Sequence, residues 1–325
     1  MKNYDIIGDI HGHADRAKHL LKKLGYREKG GAFKHPSRHV LFLGDLIDRG
    51  PDQIATVDMV RRMVDAGSAE VVMGNHEYNA VAYAIEDPEH EGQYLRKHTK
   101  TNRHQHAAFL DQVGEGSPLH REFISWFKTL PLAFENESIR AIHACWHSEY
   151  LDSIADLLND NRSLKDHAWV EMSRKGTQAH AALETLLKGL EIDLPNGVFY
   201  HDKDGTKRTR TRTRWWDAEA STYRQLGLVA PAIREQLPEH RVDEHLILKY
   251  DNAKPVFIGH YWFSGTPSRL SDQIACLDYS IGRGCPTGKL CAYRWDGEDT
   301  LDDGKFVWVD GVAPHKRPHE EPGLG

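Results

Sequence analysis

Short apolar runs and amphipathic stretches take turns along the first quarter of the chain. Tyr4–Gly8, His39–Leu43 and Glu70–Met73 are brief apolar runs with the length of buried strands. Between the first two, Ala17, Leu20, Leu21 and Leu24 fall at helical spacing within 14–24, and Gly25 follows as a stop. Pro51 opens a second helix at about residue 52, with Ile54, Val57, Val60 and Val64 on one face and Gly67 at its end. This β-α-β-α-β rhythm predicts parallel strands joined by crossover helices. Such sheets gather ligands beyond the carboxyl ends of their strands.

Further along, 78–130 reads as helical and irregular, with His98, His104 and His106 in a histidine-rich stretch expected to face solvent. Ser138–His143 returns as a strand. Residues 145–250 lose the strand rhythm and read as mostly helical, notably around 178–190. Val256–Gly259, Ile274–Tyr279, Lys289–Trp295 and Lys305–Val309 then read as strands of an antiparallel meander. The fold expected is α/β, two sheets face to face with helices outside, as one domain over 1–310. Within it, 145–250 is an insertion or cap, because the motifs on either side of it converge on one site. The segment 311–325, with three prolines and few large apolar groups, is expected to be a disordered tail.

Composition changes this picture little. The 325 residues suffice for a substantial core, and the net charge of −6 argues against bulk nucleic-acid or membrane attraction. No CxxC pair occurs among Cys145, Cys276, Cys285 and Cys291, which read as buried thiols in a reducing compartment. No run reaches membrane-spanning length, and the N-terminus lacks the pattern of a signal peptide, so a cytoplasmic location is expected. With 21 histidines, only positioned ones carry meaning.

Five polar motifs are positioned, each just after an apolar run: Gly8-Asp9-Ile10-His11-Gly12, Gly44-Asp45-Leu46-Ile47-Asp48-Arg49-Gly50, Gly74-Asn75-His76-Glu77, Ile142-His143-Ala144 and Gly259-His260. Asp9 and His11, one residue apart on an extended segment, point the same way and can grip one ion. Asp45 has two oxygens and can bridge two ions, Asn75 offers a neutral oxygen, and His143 and His260 offer imidazole nitrogens. A sulfur-free N/O set of this kind suits Mn, Fe, Zn, Co or Ni better than Ca. Two such ions beside an arginine are built to hydrolyse phosphate esters.

These motifs resemble those of the calcineurin-like metallophosphoesterase superfamily, and within it the bacterial type of the phosphoprotein phosphatase (serine/threonine phosphatase-like) branch. The likeness is dense over 4–80, thinner over 139–145 and 256–295, and says little about 81–138 and 146–250. It implies a metallophosphoesterase αββα sandwich holding two divalent ions, manganese first and Fe, Zn, Ni or Co as alternatives. One ion would take Asp9, His11 and Asp45, the other Asp45, Asn75, His143 and His260. Many superfamily members carry a further metal-binding histidine where this chain has Trp262, so the first ion would keep an open position. A hydroxide bridging the ions would attack phosphorus, Arg49 would hold phosphoryl oxygens, and His76, oriented by Asp48, would protonate the leaving oxygen. The plainer use of Asp48 and Arg49 is a turn-stabilising ion pair.

The branch also brings a second phosphate-binding arginine from between its last two histidine ligands. In the alternating row Lys207–Arg214, Arg214 is the expected residue, with Arg210 and Arg212 left open; the row could equally be a solvated face. Gly284–Lys289 reads as a turn rather than a phosphate loop, and Asp278 as a carboxylate supporting the ligand motif at His260 or as a turn residue. The leading expectation is hydrolysis of phosphomonoesters, on a small molecule, a nucleotide or a phosphoprotein. Alternatives are a diadenosine tetraphosphate-type hydrolase, to whose C-terminal part Cys276-Leu277-Asp278-Tyr279 is similar, a nucleotide or nucleic-acid-end phosphatase, and a non-catalytic metal-dependent binding protein.

Overall fold

The structure, a computed structural model, describes residues 2–201, 205–283 and 287–311. The expected tail lies outside them from residue 312 on, as do Cys285 and the start of the Gly284–Lys289 turn. β1 (Asn3–Ile7), β2 (Arg38–Phe42) and β3 (Ala69–Val71) run parallel, with Ile6 level with Leu41 and Leu41 level with Glu70. The crossovers are α1 (Ala14–Lys23) and α2 (Gln53–Asp65), as the apolar spacing predicts. The buried face of α2 is rotated from the expected one. Gln53, Thr56, Val57, Val60 and Met63 are buried, while Ile54 and Val64 are only partly covered. Gln53 turns inward because its amide accepts from Asp48 N at 2.6 Å and donates to Gly50 O at 2.7 Å, holding the turn that follows β2.

The region 78–130 resolves into three helices: α3 (Asn75–Ala84), α4 (Lys100–Val113) and α5 (Pro118–Phe127). Thr99 and Ser117 cap the last two by accepting from Asn102 N and His120 N. A second sheet then forms from β4 (Ala133–Glu135), β5 (Arg140–Ile142), β6 (Val256–Ile258) and β7 (Ile274–Cys276), in the order β7-β6-β5-β4.

The expected four-stranded meander is corrected here. β6 and β7 are parallel to each other and belong to the second sheet. The run Ile274–Tyr279 changes sheets at Leu277, and β8 (Asp278–Tyr279) joins β9 (Lys289–Trp295) and β10 (Phe306–Asp310) antiparallel in the first sheet, where β9 also pairs with β1. Every residue of 274–279 is buried, so no alternation marks the switch.

The two sheets face each other across Ile6, Leu41, Leu43, Ile139, Ala141, Phe257, Leu277 and Tyr293. Side chains of the opposite parity, such as Ile7, Val40 and Phe42, meet α1 and α2 on the outside. Among the described residues no helix is long and apolar enough to cross a membrane.

The 145–250 segment is less helical than expected. Ser148–Ser153 and Ala168–Ser173 are short, and α6 (Gln178–Lys188) is its one helix longer than two turns among the described residues. From residue 191 on, two-stranded ribbons are followed by single helical turns at Tyr223–Leu226, Pro231–Arg234 and Glu244–Leu246. Arg210–Arg212 pairs with Glu191–Asp193 and Lys207–Arg208 with Tyr200–His201. Thr211 and Thr213 point inward and are buried, which accounts for the Thr/Arg alternation.

Both ends of this segment are tied to β5. Arg140 lies 4.9 Å over the Trp146 ring and donates to Asp251 at 2.6 Å. Glu135 collects Arg140, Lys254 and Arg162, each at 3.0 Å. Burial opposes ionisation of Glu135, but hydrogen bonds from those three cations outweigh it and hold the carboxyl down to about 2, against an ordinary 4.5. A depressed carboxyl stabilises fully above 4.5 and loses its effect as pH falls toward 2. Glu135→Gln is therefore expected to lower the unfolding free energy at pH 7 by roughly 2 kcal/mol after allowance for solvent screening. The gap should close in urea titrations as pH falls through that window; a gap independent of pH would contradict the charge-based account.

Candidate metal centre

Each strand of the two sheets that carries a motif ends at one cleft, and the side chains beyond those ends meet there. Asp9 and His11 follow β1, Asp45 and Asp48 follow β2, Asn75 and His76 open α3 just after β3, His143 follows β5 and His260 follows β6. All eight are buried. His143 Nε2 lies 3.4 Å from Asp45 Oδ2, and His11 Nε2 lies 3.6 Å from it and 3.9 Å from Asp9 Oδ2. Asn75 Oδ1 sits 2.7 Å from His260 Nδ1 and 3.1 Å from His143 Nε2.

Close packing of the backbone makes this convergence possible. A Cβ on Gly259 would lie 2.1 Å from Asp9 Oδ1, and one on Gly74 would lie 2.2 Å from Asp45 N. Among the described residues, six of the nine non-glycine positions with positive φ are His11, Asp45, Asp48, Arg49, His260 and Trp262. Such strain persists only where surrounding contacts impose it. Glu77 is one source of that imposition: its buried carboxylate accepts from Asp45 N, Leu46 N and Gly74 N at 2.8, 2.8 and 3.0 Å. Burial, then the charge of Asp45, raises Glu77 to about 7. Asp278 acts similarly, accepting from Trp262 N at 2.6 Å and Ser280 N at 2.9 Å, which fixes the loop after His260.

The donor set fits divalent cations. His143 Nδ1–H donates to Leu43 O at 2.7 Å and His11 Nδ1–H to Ile47 O at 2.9 Å. Both rings thereby have Nδ1 committed to the backbone and Nε2 facing the carboxylates, the orientation that metal-binding histidines adopt. His11 Nε2 is buried with no hydrogen-bond partner. Two groups of ligand atoms, His11–Asp45–His76 and Asp45–His143–His260, each lie within 4.8 Å of one another and share Asp45. Asp45 is held well below the carboxylate range; burial opposes this, and the charges of His143 and His76 overcome it.

Beside this cluster His76 Nδ1 and Asp48 Oδ2 are 2.6 Å apart. The other oxygen of Asp48 faces His106 Nδ1 at 2.9 Å. This corrects the solvent-facing reading for His106 alone; His98 and His104 are exposed as expected. His106 is buried on the inner face of α4 with Phe109, Leu110 and Val113, and His98 is stacked between Tyr83 and Tyr94. The spacing 106, 109, 110, 113 is the signal that could have found it. Burial opposes ionisation of Asp48, but hydrogen bonds from His106 and then His76 keep it well below the ordinary carboxylate value. His76 is raised: burial opposes protonation, while the charge of Asp45 and the bond to Asp48 favour it.

Arg49 lines a pocket of about 250 Å³ over the cluster, together with Asp48, His76, His106, His260 and Trp262. The Trp262 ring stacks on His11 at 5.4 Å and lies 5.6 Å from the Arg49 guanidinium. Arg214 is not brought to this pocket; its guanidinium donates to Gln225 O and pairs with Asp217 at 3.2 Å. The further cations on the pocket wall are Arg96 and Lys188, which no motif spacing marked. After burial, the charge of Arg212 is the largest influence lowering the His260 imidazole.

A model of the calcineurin-like phosphoesterase family matches residues 3–209. The asymmetrical bis(5'-nucleosyl)-tetraphosphatase PrpE of Halalkalibacterium halodurans is 43% identical over 83 residues, 25% of this chain and 34% of that protein. The chain thus spans about a third of the length of that relative. The symmetrical bis(5'-nucleosyl)-tetraphosphatase of Vibrio cholerae is 32% identical over 304 residues, 91% of this chain and 96% of its own length. A cold-active protein-tyrosine phosphatase of a psychrophilic Shewanella species superposes with a TM-score of 0.47 at 18% identity, over 93% of this chain and 81% of that one. With a family model matching more than half of its length, and a relative matching nearly all of it, the chain belongs to the calcineurin-like phosphoesterase family.

Proposed function

We propose that this metal-dependent phosphoesterase acts in the cytoplasm on dinucleoside polyphosphates. The observation that carries the reading is the match to the symmetrical tetraphosphatase of Vibrio cholerae along 91% of this chain, which takes in most of 145–250 as well as the motifs. The free, buried thiols of Cys145, Cys276 and Cys291 agree with a reducing compartment.

Asp9, His11 and Asp45 would hold one ion and Asp45, Asn75, His143 and His260 the other, manganese first and Fe, Zn, Ni or Co as alternatives. When bound, two such ions supply Lewis acidity and an acidified water nucleophile. The chain's own groups do the rest. Arg49, backed by the Trp262 ring, presents a planar fork to two phosphoryl oxygens. His76 carries its transferable proton on Nε2, since Nδ1 is committed to Asp48, and delivers it to the leaving oxygen. Asp48 stays anionic between two imidazoles and so fixes the tautomer and angle of His76.

Phosphomonoester hydrolysis, on phosphoprotein or small-molecule substrates, is the second reading. The small volume of the pocket over the cluster, enough for a single phosphoryl group, favours it. Chelation is expected to abolish turnover of p-nitrophenyl phosphate and its bis-ester, and Mn, added back, to restore it, with Ni, Co, Zn and Mg compared singly. A panel of diadenosine tetraphosphate, phosphopeptides and 3'-phosphate or 2',3'-cyclic nucleotides then ranks the substrates. Full metal occupancy without turnover on any of them would return the chain to a binding role.

A further inference from the structure

We infer that the cavity next to the metal centre seats the nucleoside at the far end of the substrate, with its base stacked on Tyr94 and its phosphates crossing Arg96 and Lys188. The inference rests on the dinucleoside-polyphosphate reading and adds to it a place for the part of the substrate that does not react.

The cavity is about 660 Å³, within the range of small-molecule sites. It adjoins the catalytic pocket, and Asn79, Arg96 and Lys188 form walls of both. Helix α3 links them: Asn75 and His76 face the cluster, Asn79 stands at the junction, and Ala82 lines the cavity. The seven residue steps from Asn75 to Ala82 rise about 10 Å, so the path suits an extended anion rather than a lone phosphate.

Charge along that path suits a polyphosphate. Two carboxylates of the cavity wall are already matched, Glu184 with Lys188 and Asp87 with Arg174 at 2.9 Å. Lys97 and Lys175, also on the wall, have no ion-pair partner among the described residues. The cavity therefore keeps surplus positive charge beyond its internal pairs.

Tyr94 supplies the aromatic surface. It tops a stack of three nearly parallel rings, with Tyr83 to His98 at 3.7 Å and 12° and His98 to Tyr94 at 4.0 Å and 14°. His98 is pinned by its Nε2–H donating to Tyr83 O at 2.8 Å. The Tyr94 backbone is bridged to Glu86, and Leu95 N donates to Ile85 O at 2.9 Å. His98 covers one face of Tyr94, no other ring contacts it among the described residues, and Tyr94 lines the cavity. A fixed ring on the cavity wall, backed on one side by His98, is what base stacking requires, and stacking tolerates any base.

The test is competitive inhibition of p-nitrophenyl phosphate turnover by ATP and by inorganic tripolyphosphate, in the wild type, Tyr94→Ala and Tyr94→Phe. Both inhibitors offer a triphosphate, and only ATP offers a base. ATP is expected to inhibit the wild type about tenfold better than tripolyphosphate. The advantage should vanish in Tyr94→Ala and persist in Tyr94→Phe. Because the readout is a ratio within each variant, it does not depend on how much of the variant is folded. Equal inhibition in the wild type, or an advantage that survives Tyr94→Ala, would overturn the assignment. Turnover of diadenosine tetraphosphate is followed in parallel. If the ATP advantage appears and is lost in Tyr94→Ala while diadenosine tetraphosphate is not cleaved, the nucleoside seat stands and the substrate reading fails.

Discussion

Alanine in place of His76 is expected to lower kcat for phenyl phosphate by on the order of 10²–10⁴-fold, with a much smaller loss for p-nitrophenyl phosphate. The difference follows from the leaving group. Phenolate needs a proton as its bond to phosphorus breaks, whereas p-nitrophenolate is a stable anion that departs without one. His76 is placed to give that proton, because Asp48 at 2.6 Å binds its Nδ1 and leaves Nε2 toward the pocket. His76 Nε2 is also 3.9 Å from Asp45 Oδ2, and its ring could instead close round an ion with His11 and Asp45. Metal analysis separates the two roles. A proton donor can be removed with both ions retained and with a leaving-group dependence that steepens. A loss of one ion per chain, with equal losses for both substrates, would make His76 a ligand instead.

The second large effect is expected for Asp45→Asn, with turnover falling on the order of 10³-fold or more and bound metal dropping below two ions per chain. The substitution is nearly isosteric. Oδ1 still accepts from His76 N at 3.0 Å, and the backbone N–H still reaches Glu77. The fold should therefore survive, which a thermal melt by circular dichroism checks. What is lost is the negative charge on Oδ2, the atom within 4 Å of His11, His76 and His143. Among the described residues, Asp45 is the carboxylate common to the two ligand groups. Full metal content with full activity in this variant would remove Asp45 from the bridging role.

The residues that converge on the cleft were legible because each follows an apolar run directly. Strand ends in a parallel arrangement share one edge, so five motifs distant in sequence had to meet there. Their spacing also marks the pair Asp48 and His76. His106 escaped because two other histidines surround it, and only its match to the apolar positions of α4 distinguishes it. The sheet switch at Leu277 escaped for a different reason. A run buried on both faces has no alternation to show which neighbour it pairs with, and that choice is made by its pairing with β6 at one end and β9 at the other. Arg96 and Lys188 carry no local signature at all. They reach the pocket through the packing of α6 and the 85–97 loop around α3, which is tertiary information. Arg214 was expected from its place between two histidines, but beyond the ribbon its guanidinium is bound to Gln225 and Asp217.

The way the 145–250 segment is fastened has a further meaning. It leaves β5 at Trp146 and returns at Asp251, and both ends rest on the single side chain of Arg140. The excursion begins and finishes at one anchor, yet its interior is also fastened beside the ligands: Leu186 O accepts from Ala144 N at 3.0 Å, and Trp215 Nε1 donates to the Tyr261 hydroxyl at 2.9 Å. The segment that shapes the mouth of the cleft thus leans on the neighbours of His143 and His260. A change in that segment should therefore be felt at the reaction centre as well as at the mouth.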